Sequence, residues 1–175
     1  MSFMPEEKGM AFIDGANLNR SAEDLGFRID YKKLKVFLEE WLKEQGYQLI
    51  RPYYYTADDR APQRKKFFDL LEVFGYDVRL VDITKRGTTN IQKGVDVKLA
   101  IEILKFGYNK NYDCAILCSG DQDFIPLVHA VKDLGKKVYA AAFNHSCAEE
   151  IKRIPDKWFN LTEVVDQIKL EWKIV

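Results

Sequence analysis

Short apolar runs alternate with longer amphipathic runs along most of this chain, and no other feature of the sequence constrains its fold as strongly. The short runs end in turn residues, whereas the longer runs place apolar side chains at helical spacing. Strands that alternate with helices form βαβ units, in which the strands lie parallel and the helices cover the sheet. The pattern therefore predicts an α/β fold whose central, mostly parallel sheet has about five strands.

The boundaries of these elements follow from the same pattern. Strands are predicted at about 10–13, 47–56, 76–83, 114–118 and 138–143, and helices at about 31–45, 62–74, 95–106 and 124–134. The polar stretch 84–94 is predicted to be an exposed loop, and the tail 144–175 to be helix and loop that pack over one sheet edge. Since no repeat or linker interrupts the chain, residues 1–175 are expected to form a single domain.

Charge and composition exclude several classes of protein. The 27 basic and 27 acidic side chains cancel, so any site for a polyanion must be local. Cys114, Cys118 and Cys147 match neither a zinc site nor a disulfide framework and are interpreted as reduced core thiols. The first residues lack the charge and apolar run of a signal peptide, and no apolar run approaches the roughly 20 residues that span a bilayer. A cytoplasmic protein without a membrane partner is expected.

Acidic residues follow two of the predicted strands. Asp14 comes directly after the first strand, and Asp121 and Asp123 follow the strand that ends at Cys118. Asp96 is predicted near the start of a helix, from which its side chain can face the same rim. Ligands of open parallel sheets bind outside the carboxyl ends of the strands, so the four carboxylates are expected to meet there.

Clustered carboxylates need a cation or shared protons. Two unit charges about 4 Å apart repel by roughly 4 kcal/mol at an effective dielectric of 20. A hard divalent cation, Mg²⁺ or Mn²⁺, suits carboxylates from separate loops together with a phosphate substrate. Each acid also has a structural interpretation, as a turn residue at Asp14, a favourable charge at a helix terminus at Asp96, or a helix cap at Asp123. Their joint position on one rim favours the metal site.

Three segments of the chain resemble a known group. FIDGANL, KGVDVKLAIEI and CSGDQDFIPLV are similar to the signature segments of NYN domains in the LabA-like, DUF88 branch of the PIN-like nucleases. The resemblance extends from about residue 10 to residue 143, and 144–175 is then a packing tail. It implies a PIN-like three-layer α/β/α fold and metal-dependent hydrolysis of RNA.

The resemblance also implies roles for individual residues. Asp14, Asp96, Asp121 and Asp123 would be the catalytic, metal-binding acids, with one or two Mg²⁺ or Mn²⁺ ions lowering the pKa of a bound water. Asn17 would orient a metal-bound water or a phosphate, and Ser119 would donate a hydrogen bond to a carboxylate or a metal-bound water. The middle acid is an aspartate, as is usual in the LabA-like branch, whereas many PIN domains have glutamate.

Basic and aromatic residues are candidates for contacts with RNA. Lys85, Arg86 and Lys93 are close to Asp96 in sequence, and Arg60 begins a second basic cluster that continues with Arg64, Lys65 and Lys66. A solvated charged face is the alternative interpretation of both. Tyr53, Tyr54 and Tyr55 could stack on bases, but burial in a strand is the favoured interpretation.

Several functions compete with the ribonuclease. The foremost is a catalytically weak NYN protein that binds RNA or a protein partner as a regulator. A haloacid-dehalogenase phosphatase would carry a second aspartate two positions after the first, where this chain has Asp14-Gly15-Ala16, and a Toprim-like site would have glutamate in place of Asp14. No Ser/His/Asp or Cys/His constellation supports nucleophilic catalysis. RNA is the expected partner. The sequence does not decide whether the chain forms a homo-oligomer.

Overall fold

A sheet of six strands forms the centre of the domain within residues 6–83 and 91–171, the part of the chain that the computed structural model describes. In chain order, the strands are β1 (Glu7–Asp14), β2 (Tyr47–Asp58), β3 (Asp77–Asp82), β4 (Cys114–Cys118), β5 (Lys137–Ala142) and β6 (Lys157–Asn160). Their order in the sheet is β3-β2-β1-β4-β5-β6, and every neighbouring pair is parallel. The predicted parallel α/β class is confirmed.

The strand order reverses between β1 and β4. The chain builds outwards from β1 through β2 to β3, returns to the other side of β1 as β4, and builds outwards again to β6. At this reversal Ile13 of β1 lies opposite Cys118 of β4. The connections after the two strands diverge, and such a switch point opens a crevice at the carboxyl ends of the strands.

Helices cover both faces of the sheet and give the three-layer α/β/α arrangement. Residues of β1 alternate between the two layers, with Ala11 and Ile13 in one core and Met10 and Phe12 in the other. Helices α1, α2, α3 and α7 contribute to the first core, and α4 and α5 to the second. The helices are α1 (Gly15–Asp24), α2 (Tyr31–Glu44), α3 (Pro62–Val73), α4 (Ile91–Tyr108), α5 (Ile125–Asp133), α6 (Glu149–Arg153) and α7 (Val165–Ile168).

Three details differ from the expectation. Helix α1 begins directly after β1, because Asp14 is its N-cap and not a turn residue. Helix α4 begins at Ile91, so residues 91–94 are helical and Asp96 lies beyond the first turn, while the rest of the predicted loop, 84–90, is outside the described residues. The tail contains β6, which pairs with β5 and makes the sheet six strands wide instead of about five.

Two other expectations concern the cysteines and membranes. Cys114, Cys118 and Cys147 are free and buried, which confirms the interpretation as core thiols. Within the described ranges, the helices lack the combination of length and apolar character that crossing a bilayer requires.

The loops after β4 and β5 touch through their backbones at Gly120. A Cβ atom on Gly120 would lie 2.8 Å from Cα of Cys147 and 2.9 Å from the carbonyl oxygen of Ser146. The Ala148 N–H also donates to the Gly120 carbonyl at 3.0 Å. Glycine therefore allows the two loops to pack closely beside the switch point.

We expect Gly120→Ala to destabilise the protein by about 1–3 kcal/mol, because backbone atoms must move to admit the methyl group. Gly9→Ala is the matched control, since its nearest neighbour, a Leu42 methyl at 2.7 Å, is the end of a flexible side chain. Urea unfolding of both variants measures the difference. If both variants lose the same free energy of unfolding, the contact between the loops is not rigid.

Candidate active site at the switch point

Asp14 is the innermost acid of the switch point. It ends β1, is only 1% exposed and caps α1 by accepting a hydrogen bond at Oδ1 from the Asn17 N–H, at 3.2 Å. Its other oxygen, Oδ2, accepts a hydrogen bond from the Ser119 hydroxyl at 3.0 Å. Both carboxylate oxygens are therefore held by the protein, one from α1 and one from the loop after β4.

Ser119 and Asn17 join the two loops. The Ser119 side chain is fully buried, and its Oγ accepts a hydrogen bond from the Asp121 N–H at 3.2 Å while it donates to Asp14. The side-chain oxygen of Asn17 accepts a hydrogen bond from the Gly120 N–H at 3.1 Å. Of the two predicted roles for Ser119, the structure has the hydrogen bond to a carboxylate, and Asn17 holds the loop after β4.

Asp121 and Asp123 occupy the loop between β4 and α5. Oδ1 of Asp121 accepts from the Asp123 N–H at 2.9 Å and thereby caps the 3₁₀ turn Gln122–Phe124. The Asp121 side chain is half-buried, whereas Asp123 is exposed. In its degree of burial, Asp121 therefore resembles Asp14 more than Asp123 does.

Asp96 reaches the rim from a helix and not from a loop. It is half-buried in α4, and its charge raises the pKa of Asp14. Asp96 and Asp123 also line one groove between α4 and α5, together with Lys93. The fold thus brings Asp14, Asp96 and Asp121 within electrostatic range and places Asp123 at the outer end of the same region.

The pKa of the Asp14 carboxyl is raised from 3.8 to about 6, and burial is the largest cause. The neighbouring charges of Asp96 and Asp121 raise it as well, while the hydrogen bonds from Asn17 and Ser119 lower it. Near neutral pH, the metal-free protein thus holds a buried negative charge beside two other carboxylates. A cation at this place would relieve both the desolvation and the repulsion.

The predicted cluster of four carboxylates is nevertheless not a tight one. In the part of the chain described by the structure, no three Asp, Glu, His or Cys side chains come close enough together to hold an ion. The oxygens of Asp14 and Oδ1 of Asp121 point at protein donors instead. Carboxylate oxygens keep further lone pairs, and Mg²⁺ at phosphate-processing sites commonly uses only one or two carboxylates. The donor chemistry therefore fits Mg²⁺ or Mn²⁺ without a closed protein cage.

Most of the predicted RNA-binding residues that the structure describes are engaged with the protein itself. Arg60 forms an ion pair with Asp82, the last residue of β3. The guanidinium of Arg64 donates to the Ala57 carbonyl at 2.7 Å, and Lys65 pairs with Asp69 at 2.9 Å. Lys93 is exposed beside the acids, while Lys85 and Arg86 lie outside the described residues.

The three consecutive tyrosines belong to the core. Tyr53, Tyr54 and Tyr55 are 4%, 1% and 0% exposed, so the favoured interpretation as strand core is confirmed. The Tyr54 hydroxyl accepts a hydrogen bond from Asn19 of α1 at 3.0 Å, and the Tyr55 hydroxyl donates to Glu102 of α4 at 2.7 Å. These bonds attach helices of both layers to β2.

The groove between α4 and α5 was not foreseen from the sequence. Its walls include Val97, Ala100 and Leu104 of α4. A signal was present, since Val95, Leu99 and Ile103 already supply the row that faces the core and the further apolar residues exceed what one buried face needs. Periodicity alone, however, does not tell which neighbour completes the groove.

A parallel three-layer sandwich with acids at its switch point is the arrangement expected of a PIN-like α/β domain. The profile of the NYN domain family matches residues 8–162. The chain belongs to the NYN domain family, and the resemblance carried by the three sequence segments is confirmed.

Known proteins are similar to this chain over most of its length. The low amplitude and bright protein LabA of Synechococcus elongatus is 23% identical over 170 residues, which cover 94% of this chain and 88% of LabA. The uncharacterized protein MJ0482 of Methanocaldococcus jannaschii is 26% identical, and the match covers 96% of this chain and 62% of that protein. The crystal structure of VPA0982 from Vibrio parahaemolyticus, a protein of unknown function, superposes with a TM-score of 0.80 at 20% identity, covering 97% of this chain and all of that one. This last likeness supports the fold.

From the raised pKa of Asp14 we predict how the free energy of unfolding changes with pH in EDTA. The folded protein holds the Asp14 proton up to about pH 6, whereas the unfolded chain releases it near 3.8. Because the folded state binds more protons between these values, this group makes the free energy of unfolding decrease as pH rises through that range. The decrease amounts to roughly 2–3 kcal/mol.

We expect Asp14→Asn to lack this decrease, so that the variant is more stable than the wild type at neutral pH in EDTA and comparable near pH 4. Urea denaturation across this pH range measures the difference. Asp133→Asn, at an exposed position at the end of α5, is the control and should follow the wild type. If the free energy of unfolding changes with pH in the same way for the wild type and Asp14→Asn, the pKa of Asp14 is not raised in the folded protein.

Proposed function

We propose that this protein hydrolyses RNA phosphodiester bonds with the help of Mg²⁺ or Mn²⁺ at the β1–β4 switch point. The observation that supports this most directly is the buried Asp14 carboxylate, whose pKa is raised to about 6 by burial and by the charges of Asp96 and Asp121. Membership of the NYN domain family makes a nuclease the reaction class to test first.

In this proposal, the residues of the site have different roles. Asp14 would bind the cation, and the charges of Asp96 and Asp121 would attract it, with water and substrate phosphate as its remaining ligands. The cation when bound lowers the pKa of a water and stabilises charge on the phosphate. Ser119 and Asn17 are positioning residues, since their hydrogen bonds set the direction of Asp14 and the path of the loop after β4. Lys93 is exposed on the same rim and would attract the phosphate backbone.

One observation favours a second candidate, an NYN domain that binds RNA or a protein as a regulator and turns over slowly if at all. Among residues 6–83 and 91–171, no three metal-binding side chains converge. A site with fewer protein ligands binds its cation more weakly and depends more on the substrate to complete the coordination shell. The two candidates differ in one measurable respect, which is whether bound RNA is cleaved.

We expect the purified protein to cleave labelled single-stranded RNA in Mg²⁺ or Mn²⁺ and to stop in EDTA. Asp14→Asn, Asp96→Asn and Asp121→Asn should each lower the rate by at least about 100-fold, because each removes charge that holds the cation. Asp123→Asn should lose less, since this side chain is exposed at the outer end of the site.

Asp133→Asn removes an exposed aspartate away from the rim and should cleave at the wild-type rate. Cleavage that survives both EDTA and Asp121→Asn would identify a contaminating nuclease. Binding of RNA without cleavage in either metal would favour the regulator.

The metal itself is tested without RNA. Calorimetric titration with MnCl₂ should show binding to the wild type and none to Asp14→Asn, and Mn²⁺ should raise the melting temperature of the wild type only. Because Asp14→Asn removes the buried charge without changing the size of the side chain, its fold should persist, as its melting temperature in EDTA will show. Equal Mn²⁺ binding by both proteins would remove Asp14 from the site.

A further inference from the structure

Helix α4 is apolar on its outer side as well as on the side that faces the sheet. Leu99, in the middle of its inner row, is fully buried. On the outer side, Val97, Ile101 and Tyr108 are 56%, 58% and 78% exposed. Among the described residues, no other helix carries more than two large apolar side chains that are exposed. A helix that is apolar on both sides is expected to be covered on both.

The outer apolar residues form a line along α4, here called the α4 seam, which consists of Val97, Ile101, Leu104 and Tyr108. They follow one another at intervals of four, three and four residues. This spacing is typical of the contact line between two packed helices, and it extends over about 17 Å. The shape of the surface therefore favours another helix as its cover.

The charged side chains beside the α4 seam are directed at the sheet. The ammonium group of Lys98 donates to the Leu80 carbonyl at 3.1 Å. The Glu102 carboxylate accepts a hydrogen bond from the Tyr55 hydroxyl at 2.7 Å. An approaching helix therefore meets an apolar surface and does not have to bury these charges unpaired.

The groove between α4 and α5 runs beside the α4 seam and has opposite charges at its two ends. At the rim, Asp96 and Asp123 outnumber Lys93 by one charge. Beyond Leu104, Lys105 is the one charged residue among the described residues that line the other end. Asp123 and Lys105 are both exposed, and neither forms an ion pair with another described residue. A helical cover with the opposite order of charges would complement both ends.

A second copy of α4 that runs antiparallel to the first has this order. A twofold axis that crosses the α4 seam beside Ile101 reverses the helix direction and keeps α5 on the same side of both copies. Ile101 then lies opposite the partner's Ile101, and Val97 lies opposite the partner's Leu104. The same axis brings Asp123 of each copy next to the partner's Lys105. A parallel arrangement would instead bring like charges together.

The size of the surface is sufficient for a weak, specific dimer. Two adjacent helices present a face about 20 Å wide, and residues 93–108 of α4 extend over about 23 Å. Each copy would cover on the order of 500 Å², so the pair would bury about 1,000 Å², the lower limit of specific interfaces. Copies of the chain carry no net charge, so general repulsion does not oppose their contact.

We propose that this protein forms an antiparallel homodimer through the α4 seam and the α4–α5 groove. The partner's Lys105 then lies beside Asp123, at a rim where each protomer has more carboxylates than lysines. The dimer does not depend on the proposed hydrolysis, because it requires only the apolar and charged residues of α4 and of the loop before α5.

Ile101→Glu tests the α4 seam, because the twofold axis would place two such carboxylates against each other. Val73→Glu on α3 is the matched control, since Val73 is 80% exposed and lies outside the α4 seam. We expect sedimentation velocity at about 100 µM to show a dimer for the wild type and Val73→Glu. The dissociation constant of Ile101→Glu should be at least about tenfold higher. A monomeric wild type, or equal dimerisation of the two variants, would overturn the proposal.

Reversal of charge tests the pairing of Asp123 with the partner's Lys105. Lys105→Glu and Asp123→Lys should each raise the dissociation constant about tenfold, because each change occurs twice in the dimer. The double variant has the opposite charges in exchanged positions and should dimerise within about threefold of the wild type. Melting temperatures show that each variant is folded. A double variant that dimerises no better than the single ones would contradict the antiparallel arrangement.

Added cysteines distinguish antiparallel from parallel helices. The native cysteines are free and buried, so an added surface cysteine is the accessible thiol. Oxidised Ile101→Cys should form a covalent dimer, since the two thiols meet at the axis. Val97→Cys should not, because the two copies of residue 97 would be roughly 12 Å apart, beyond the reach of a disulfide. Cross-linking of both variants alike, or of neither, would overturn the proposed dimer.

Discussion

The parallel pairing of β1 with β4 is the constraint on which the rest of the structure depends. It places Ile13 opposite Cys118, so that the residues after each strand emerge side by side. Helix α1 begins at once after β1, and the Asp14 carboxylate therefore has to serve as its cap inside the crevice. Ser119 reaches this carboxylate only because β4 ends at the adjacent position.

The site consequently combines rigid and weakly enclosed parts. Asp14, Asn17 and Ser119 form a hydrogen-bonded unit that holds both loops, and Asp121 is attached to it through its own N–H. Asp96 approaches the site from α4, and Asp123 lies on the exposed side of the loop after β4. A site of this kind favours a cation whose remaining ligands come from water or substrate phosphate, as Mg²⁺ requires.

Much of the fold was predictable because its central strands are continuous apolar runs. The run Cys114–Cys118 is buried along its whole length and matched its predicted bounds. Strand β6 was missed because it is a short edge strand whose residues are mostly half-buried and show no clear alternation. Helix α1 was missed because an aspartate followed by glycine indicates a turn as strongly as it indicates a cap.

The candidate site was predictable in its membership and less so in its geometry. Position after a strand locates Asp14, Ser119 and Asp121 on one rim, since that depends only on the topology of the sheet. The directions of their oxygens depend on which backbone N–H groups lie within reach, and a sequence does not specify these distances. The same limit applies to Arg60, because its ion pair with Asp82 can be predicted only when β2 and β3 are known to be neighbours.

The edge strand β6 has a consequence for where this domain can be cut. It covers the outer backbone of β5, and beyond it the N–H of Leu170 donates to the Arg28 carbonyl at 2.8 Å, across the entry to α2. A fragment that stopped at the last signature segment would expose β5 as a new sheet edge and release the connection between α1 and α2. The smallest piece that folds independently is thus longer than the piece that defines the family by its motifs, and expression boundaries belong beyond Leu170.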